Sequence, residues 1–437
     1  MLFPDRATHT VIIDRPCGTG KTTAMLASLQ ADRKYLLVTP SLTEVDRFIA
    51  DSPPEVQIST PSDTCGPKLH DLSRLLDAGR SVAITHKLFN SMLVLAPKLQ
   101  GYDIIIDEAP TPVEHHGGIE GNVFEEIMVQ KGFAQVDPAT RQVTPTAAWK
   151  KFEKCHVSKT SGEEVVTNGF YPDLYQNAAK GRLHADDSGV FVIAVPNQVL
   201  LSGRSLTIMS FLTEGTYIRV YLDMLAKADP RAAYTLHREG TEAWLNGVRK
   251  LVTVEGLDLP NGTNLSFSKQ KGNTHDKTCR KIGNSLRNLV ETRWKGVARS
   301  DILMTCARHK WFEDTKSRRA GQWARHSRLF GRDFGKGGVQ WLPNKTRGTN
   351  LYAHASHLIY LYSMSPNPMV MNFLGCAGRA FSEAYAIAEM VQWVWRSRVR
   401  CGQPITLAVP CDRMRRLFTG WLASAESEAD VTLLEAL

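Results

Sequence analysis

Short apolar runs alternate with amphipathic segments through most of the chain. The first run leads from residue 10 into a glycine-rich turn and then into helical spacing that reaches residue 26. Further strand-like runs follow at 35–40, 56–60, 81–85 and 104–106, with helical spacing at 68–76. Strands that alternate with helices form parallel sheets. The pattern therefore predicts an α/β fold.

The alternation is interrupted once. Residues 111–204 contain scattered turn residues and polar segments with one clear strand at 190–195, which predicts an insertion or accessory subdomain. A strand ending at Ser210 resumes the pattern, and AKADPRAA at 226–233 has the composition of a linker. The second half adds strand-like runs at 251–254, 301–309, 339–342, 357–363 and 404–410, and helical spacing at 277–295 and 382–400. We predict two tandem domains, 1–228 with the insertion and 229–437.

The glycine-rich turn has the composition of a phosphate-binding loop. Backbone N–H groups around Gly18 and Gly20 are suited to surround phosphate oxygens, Lys21 supplies an ammonium, and the Thr22 hydroxyl suits Mg²⁺. The full pattern expects glycine where Arg15 stands, but the phosphate-contacting half, GTGKT, is complete. The predicted nucleotide-binding residues are Pro16, Cys17, Gly18, Thr19, Gly20, Lys21, Thr22 and Thr23.

A second nucleotide element follows about 85 residues later. In GYDIIIDEAP, three isoleucines form a continuous apolar run of the kind buried in a parallel sheet, and Asp107 and Glu108 follow at its carboxyl end. Hydrolysis of a nucleotide needs one carboxylate for Mg²⁺ and another that orients water. We assign Thr22 and Asp107 to the metal and Glu108 to the water.

Positive charge is concentrated in one part of the chain. The net charge is +9, yet residues 269–347 alone contain 20 Lys and Arg against 6 Asp and Glu. Trp294, Trp311, Phe312 and Trp323 lie in the same stretch and are candidates to stack on bases. A solvated charged surface is the alternative interpretation. The distribution favours a nucleic-acid partner.

Composition excludes other classes. No apolar run approaches the length of a membrane span, and the first strand begins within ten residues, which leaves no room for a signal peptide. Eight cysteines lack paired or metal-ligand spacing, so neither disulfides nor a zinc site are expected. These features predict a soluble cytoplasmic protein, located in the host cytoplasm if a virus encodes it.

The ordered motifs resemble superfamily 2 helicases of the DEAD/DEAH-like group, which have two RecA-like P-loop NTPase domains. The compact form is similar to helicases of phages and mobile elements. The resemblance covers nearly the whole chain apart from the insertion. The matching segments are RPCGTGKTT (motif I), LLVTPSLTEV (Ia), VAITHKLF (Ic), IIIDEAP (II), TIMSFL (III), DILMTCARH (IV) and LPNKTRGTNLY (V).

The resemblance implies roles for further residues. Lys21, Asp107 and Glu108 would be catalytic, Gly348 and Asn350 would contact the nucleotide, and Ser210 would couple hydrolysis to movement. The implied contacts to the nucleic-acid backbone are Thr39, Pro40, Thr85, His86, Arg308, Lys310, Thr346, Arg347 and Thr349.

Motif VI, which supplies arginine fingers from the second domain, has two candidate positions. CAGRAFS offers Arg379 but lacks the expected glutamine and second arginine. QWVWRSRVR matches Gln392 and Arg396, and its next arginines, Arg398 and Arg400, flank the expected position. We favour Arg396 with Arg400 because residues four apart share one face of a helix.

Together these features predict an enzyme that couples NTP hydrolysis, between two domains that close, to movement along single-stranded nucleic acid. The expected cofactors are ATP and Mg²⁺, but strict ATP selectivity is open because no adenine-reading glutamine segment precedes motif I. We expect a monomer on its substrate, with DNA favoured over RNA and with replication or processing proteins as candidate partners. Two alternatives stay open: a terminase-type packaging motor, and a nucleic-acid-binding protein without turnover.

Overall fold

A computed structural model describes residues 8–64, 67–117, 119–138, 140–157, 164–186, 189–193, 195–261, 263–271, 276–313, 319–331 and 337–424. These residues form two compact units. The first comprises the chain up to Arg15, Gly20–Glu239 and Pro366–Gly378, and the second comprises Pro16–Thr19, Gly240–Ser365 and the chain from Arg379. Among the described helices, none combines the length and apolar character that a membrane span requires.

The strands are β1 (His9–Asp14), β2 (Lys34–Thr39), β3 (Val82–Thr85), β4 (Tyr102–Asp107), β5 (Val113–His115), β6 (Ala134–Val136), β7 (Val143–Pro145), β8 (Glu153–Val157), β9 (Glu164–Asn168), β10 (Leu183–Asp186), β11 (Gly189–Ile193), β12 (Ser205–Ser210), β13 (Tyr234–Arg238), β14 (Val252–Glu255), β15 (Ile302–Thr305), β16 (Gln340–Trp341), β17 (His357–Tyr360) and β18 (Ile405–Ala408).

The α-helices are α1 (Lys21–Ala27), α2 (Leu42–Asp51), α3 (Lys68–Asp77), α4 (His86–Phe89), α5 (Gly121–Phe124), α6 (Ala147–Lys150), α7 (Pro172–Ala179), α8 (Asn197–Leu200), α9 (Tyr217–Ala228), α10 (Thr241–Arg249), α11 (Phe267–Lys271), α12 (Asp276–Asn288), α13 (Arg308–Trp311), α14 (Gln322–Ser327), α15 (Pro368–Phe373), α16 (Arg379–Val394) and α17 (Asp412–Ala423).

The first unit is built on a parallel sheet with strand order β13-β1-β12-β4-β2-β3. Its central strands are apolar because both faces are covered; β2 and β4 are buried along nearly their whole length. The register pairs Asp14 with Ser210, Met209 with Asp107 and Thr39 with Thr85. Polar residues from separate motifs therefore meet at the carboxyl edge of this sheet.

The predicted insertion lies between β4 and β12, which are neighbours in the sheet. It contains an antiparallel sheet with order β10-β11-β5 and the hairpins β6-β7 and β8-β9. Phe124, Met128, Trp149 and Tyr175 are buried in a core of its own. The interruption of the sequence pattern thus corresponds to a separately packed subdomain.

The second unit has a parallel sheet with order β14-β18-β17-β15-β16. Helices α12 and α14 pack closely, and Gly283 makes this possible. A Cβ at position 283 would lie 2.6 Å from the Cβ of His326 and 2.7 Å from its carbonyl carbon. The predicted α/β architecture with parallel sheets is confirmed in both units.

Three predicted elements are wrong. Residues 56–60 do not form a strand, since Pro54–Val56 is a short 3₁₀ helix and only Ser59 bridges to Val82. The segment 226–233 is not a linker, because it leads directly into β13, which pairs with β1. The helix predicted at 382–400 ends at Val394 and is followed by a separate 3₁₀ turn at Arg398–Cys401.

Candidate functional site

The predicted phosphate-binding loop joins β1 to α1. Gly18 and Gly20 have positive φ angles of 80° and 76°, a conformation that glycine adopts without strain. The ammonium of Lys21 donates to the carbonyl oxygens of Arg15 at 3.0 Å and Ser210 at 3.3 Å. The backbone N–H of Arg15 also donates to the Ser210 carbonyl at 3.0 Å. The loop lysine is therefore held against the end of β12.

Thr22 and Asp107 are brought together as predicted for a shared metal site. The Thr22 hydroxyl donates to Oδ1 of Asp107 over 3.2 Å. Burial and the neighbouring Glu108 carboxylate raise the pKa of Asp107 to about 6, although Lys21 and the Thr22 hydrogen bond act in the opposite direction. A buried carboxylate beside a hydroxyl offers the oxygen ligands that Mg²⁺ prefers.

Glu108 follows β4 in a strained conformation. Its φ angle is 62°, in the left-handed region that residues with side chains rarely adopt, and its backbone N–H donates to the Met209 carbonyl at 2.9 Å. Such strain is concentrated at functional sites, where the surrounding structure enforces it. Asp107 thus ends the strand, and Glu108 begins the turn.

Asp14 is a residue of this edge that the sequence analysis did not identify. It ends β1, is 3% exposed, and accepts hydrogen bonds from the N–H groups of Leu212 at 2.9 Å and Thr213 at 3.1 Å and from the Thr213 hydroxyl at 2.7 Å. It therefore fastens the turn after Ser210 to the start of the phosphate loop. A carboxylate at the end of the apolar run TVIID was the available signal.

The residues of the first unit that were predicted to contact nucleic acid differ in accessibility. Thr85 and His86 are half-buried; the Thr85 hydroxyl accepts from the Leu88 N–H, and His86 Nε2 lies 3.0 Å from the Asp107 carbonyl oxygen. Pro40 is also half-buried. The prediction for Thr39 is wrong, because it is buried and its hydroxyl donates to the Ser41 carbonyl at 3.0 Å.

The residues of the second unit that were predicted to contact nucleic acid also differ in accessibility. Arg308 is exposed, with its guanidinium 5.0 Å from the ring centre of Phe312. Arg347 forms an ion pair with Glu389 at 2.7 Å. Lys310 is only 2% exposed, its ammonium donates to Gln322 at 3.3 Å, and burial lowers its pKa. The prediction that Lys310 contacts a nucleic-acid backbone is therefore wrong.

The segment after β16 carries the remaining predicted contacts. Thr346, Gly348 and Thr349 are half-buried, and Gly348 has a positive φ of 59°. Asn350 is exposed, and its side-chain oxygen accepts a hydrogen bond from the Arg400 guanidinium. Two residues predicted separately, one for nucleotide contact and one as a finger, thus meet in this unit.

The reason for pairing Arg396 with Arg400 is wrong, because the helix that was to carry both ends at Val394. Arg396 is buried, whereas Arg400 is half-buried and belongs to the following 3₁₀ turn. The other two candidates have local partners: Arg379 pairs with Glu383 at 2.8 Å, and Arg398 donates to the Pro404 carbonyl at 2.6 Å.

The three tryptophans predicted to stack on bases are not available for it. Trp294, Trp311 and Trp323 are at most 5% exposed and belong to the core of the second unit. Large aromatic rings gain most by burying their apolar surface, and the Trp294 indole N–H also donates to Glu255 at 2.9 Å. Phe312 is half-buried and meets Trp341 edge-on.

Comparisons with known proteins cover most of the chain. Residues 247–422 match the family described as the YonV C-terminal Rossmann-like domain. The chain is 22% identical over 434 residues to the SPbeta prophage-derived uncharacterized protein YonV of Bacillus subtilis (strain 168), covering 94% of this chain and 98% of that protein. The similarity to YonV therefore includes both units.

Solved structures also align with most of this chain, at low sequence identity. The structure of Xpd4 from S. tokodaii aligns with 95% of this chain and 94% of its own at 12% identity, with a TM-score of 0.45. A Dbp5 variant from S. cerevisiae, bound to RNA and ADP-BeF3, aligns with 96% of this chain and 84% of its own at 10% identity, with a TM-score of 0.40.

Proposed function

We propose that this protein is a nucleic-acid-dependent NTPase that moves along a single strand, as superfamily 2 translocases and helicases do. The observation that carries the proposal is the meeting of Lys21, Thr22 and Asp107 with the end of β12 at one sheet edge. A phosphate-binding lysine, a hydroxyl-carboxylate pair and a following Glu108 are the parts that phosphoryl transfer to water requires.

The donor set fits a divalent cation. The Thr22 hydroxyl lies 3.2 Å from the Asp107 carboxylate, and the raised pKa of that buried carboxyl means that a nearby positive charge would stabilise its ionised form. We propose that Thr22 and Asp107 hold Mg²⁺, which would supply positive charge beside the phosphate oxygens. Lys21 would bind the same phosphates, and Glu108 would orient the attacking water and accept its proton.

Further roles are proposed for the second unit. Arg400 or Arg396 would neutralise charge that develops on the transferred phosphate, with Gly348 and Asn350 contacting the nucleotide. Thr85, Arg308, Thr346, Arg347 and Thr349 would contact the strand backbone, and Ser210 would couple that contact to hydrolysis. Contacts of this kind make binding dependent on salt and weakly dependent on sequence. We favour DNA over RNA as the strand and ATP as the nucleotide.

The direct test is steady-state NTP hydrolysis with no nucleic acid, with single-stranded DNA and with RNA. Hydrolysis by the wild type should rise with the strand it uses, and Lys21→Ala should abolish it because the phosphates lose their charged partner. Lys131→Ala, an exposed lysine of the insertion, is the control. Absence of hydrolysis in the wild type under all three conditions would contradict the proposal.

A further inference from the structure

An open cleft of 520 Å³ lies on the second unit, beside the outer face of α12. Lys277 and Lys281 line it together with Thr278, Asn284, Ser285 and Asn261. Positions 277, 281, 284 and 285 share one face of a helix. The lining therefore presents two ammonium groups, two hydroxyls and two amides, and it contains no carboxylate.

The charge of this lining is not cancelled locally. Within the described part of the chain, neither Lys277 nor Lys281 has an ion-pair partner. The nearest carboxylate along the helix, Asp276, is compensated by Arg280 at 3.1 Å and His326 at 3.0 Å. The side-chain oxygen of Asn284 accepts from Arg287 at 2.9 Å, which leaves its amide N–H groups as donors. The cleft lining therefore has the positive charge and the hydrogen-bond donors that an anion requires.

Packing holds this face of α12 outward. Cys279, Ile282, Gly283 and Leu286 are buried on the opposite side. Because Gly283 lets the helix approach the backbone of α14, the helix cannot rotate without losing that contact. The lysines are therefore presented by a fixed helix surface.

One part of the cleft lining comes from the connection between β14 and α12, which begins at the carboxyl edge of the second sheet. Asn261 belongs to the connection that leaves β14 at this edge, and α11 in the same connection is fastened there by Gln270. Its amide donates to the Leu361 carbonyl at 2.7 Å and accepts from the Ala307 N–H at 2.8 Å. Leu361 and Ala307 follow β17 and β15, and Arg308 comes next, so the connection that supplies Asn261 to the cleft also reaches the edge where Arg308 lies.

We propose that this cleft binds backbone phosphate of the single strand, in addition to the residues named above; the inference rests on the proposed function. A volume of 520 Å³ exceeds the need of one phosphate group and leaves room for the adjoining sugars. The lining contains no aromatic side chain for base stacking, so it recognises the backbone and not the sequence. A free polyphosphate would offer the same oxyanion chemistry and is distinguished below.

The test uses the full chain and a fluorescent oligothymidine, with affinity measured by anisotropy from about 50 to about 200 mM salt. The double variant Lys277→Gln/Lys281→Gln should lower affinity at least about tenfold at low salt. Its plot of log affinity against log salt should be shallower by about 1.4, because each lost single-strand phosphate contact removes about 0.7. Lys227→Gln/Lys250→Gln removes the same charge from exposed positions elsewhere and should keep the wild-type slope. Unchanged melting temperatures would show that both variants fold.

Two results would overturn the cleft assignment alone. One is a wild-type slope and affinity in Lys277→Gln/Lys281→Gln while oligothymidine still binds the wild type and stimulates its hydrolysis. The other is inorganic tripolyphosphate binding that depends on both lysines while oligothymidine binding does not. A wild type that neither binds nor responds to DNA or RNA would instead overturn the proposed function, and the cleft assignment with it.

Discussion

The carboxyl edges of the two parallel sheets differ in chemistry although their architecture is alike. At the first edge, Asp14, Lys21 and Asp107 are held by hydrogen bonds to neighbouring strands and turns. At the second edge, Arg308 is exposed and lies over Phe312, and the lysines of α12 in the same unit also point outward.

The first edge offers side chains in fixed positions, whereas the second unit offers exposed positive charge. Buried carboxylates, and a lysine that is hydrogen-bonded to carbonyl groups, are suited to hold phosphates and water at defined positions. Exposed lysine and arginine side chains on firmly packed helices are suited to contact a long polyanion that moves past them. The first edge should therefore be sensitive to isosteric substitutions, and the second to substitutions that remove charge or move a helix.

The largest effect on stability is expected from Asp14→Asn, at the first edge. The substituted amide keeps one acceptor oxygen but turns its NH₂ group towards at least one of the three donors, and the remaining bonds lose their charged acceptor, so the free energy of unfolding should fall by about 3 kcal/mol. Turnover should fall as well, because the turn after Ser210 is held less firmly to the start of the phosphate loop. Denaturant unfolding checks this, with the exposed Asp46→Asn as control. A loss below about 1 kcal/mol would mean that the edge is less rigid than described.

Gly283→Ala tests the fixed helix of the second unit. Its new Cβ would lie 2.6 Å from the His326 Cβ, so overpacking should cost about 2 kcal/mol of unfolding free energy. The matched control is Gly247→Ala in α10, where nothing lies within 4 Å of the new Cβ. The control should be neutral or stabilising by about 0.5 to 1 kcal/mol. Equal effects of the two substitutions in chemical denaturation would refute the close packing of α12 on α14.

An effect of about the same size concerns the insertion and pH. Burial lowers the pKa of His184 to about 4, and its Nδ1 lies 3.1 Å from the Thr140 carbonyl oxygen. Because the unfolded chain binds the proton more readily, stability is complete above the ordinary histidine pKa and declines as pH falls toward 4. From pH 7 to pH 5 the wild type should lose about 2 kcal/mol more than His184→Gln. Parallel pH profiles of the two proteins, measured by denaturant titration, would show that His184 protonates freely in the fold.

The first sheet and its site were largely predictable because their signals are local. Glycines, Lys21, Thr22 and the Asp107–Glu108 pair each follow an apolar run, and parallel strands bring such positions to one edge. Asp14 was missed because its role depends on Leu212 and Thr213, about two hundred residues away in sequence. No local pattern reports that pairing.

The second unit was predicted less well because the residue types that suggest a nucleic-acid surface, tryptophan and lysine, also occur in its core. Trp311, Trp323 and Lys310 lie in a basic stretch that suggested a nucleic-acid surface, yet all three are buried. Their exposure depends on how α12, α13 and α14 pack. The predicted helix continued to residue 400, whereas the observed helix ends at Val394 and the chain turns there before it enters β18.

The central claim is that the first edge hydrolyses a nucleotide with Glu108 as the group that activates water. Nucleotide binding and strand-stimulated hydrolysis by purified wild type and Glu108→Gln test it most directly. We predict that Glu108→Gln still binds NTP while hydrolysis falls by about 10² to 10⁴. Undiminished hydrolysis in Glu108→Gln would contradict the assignment.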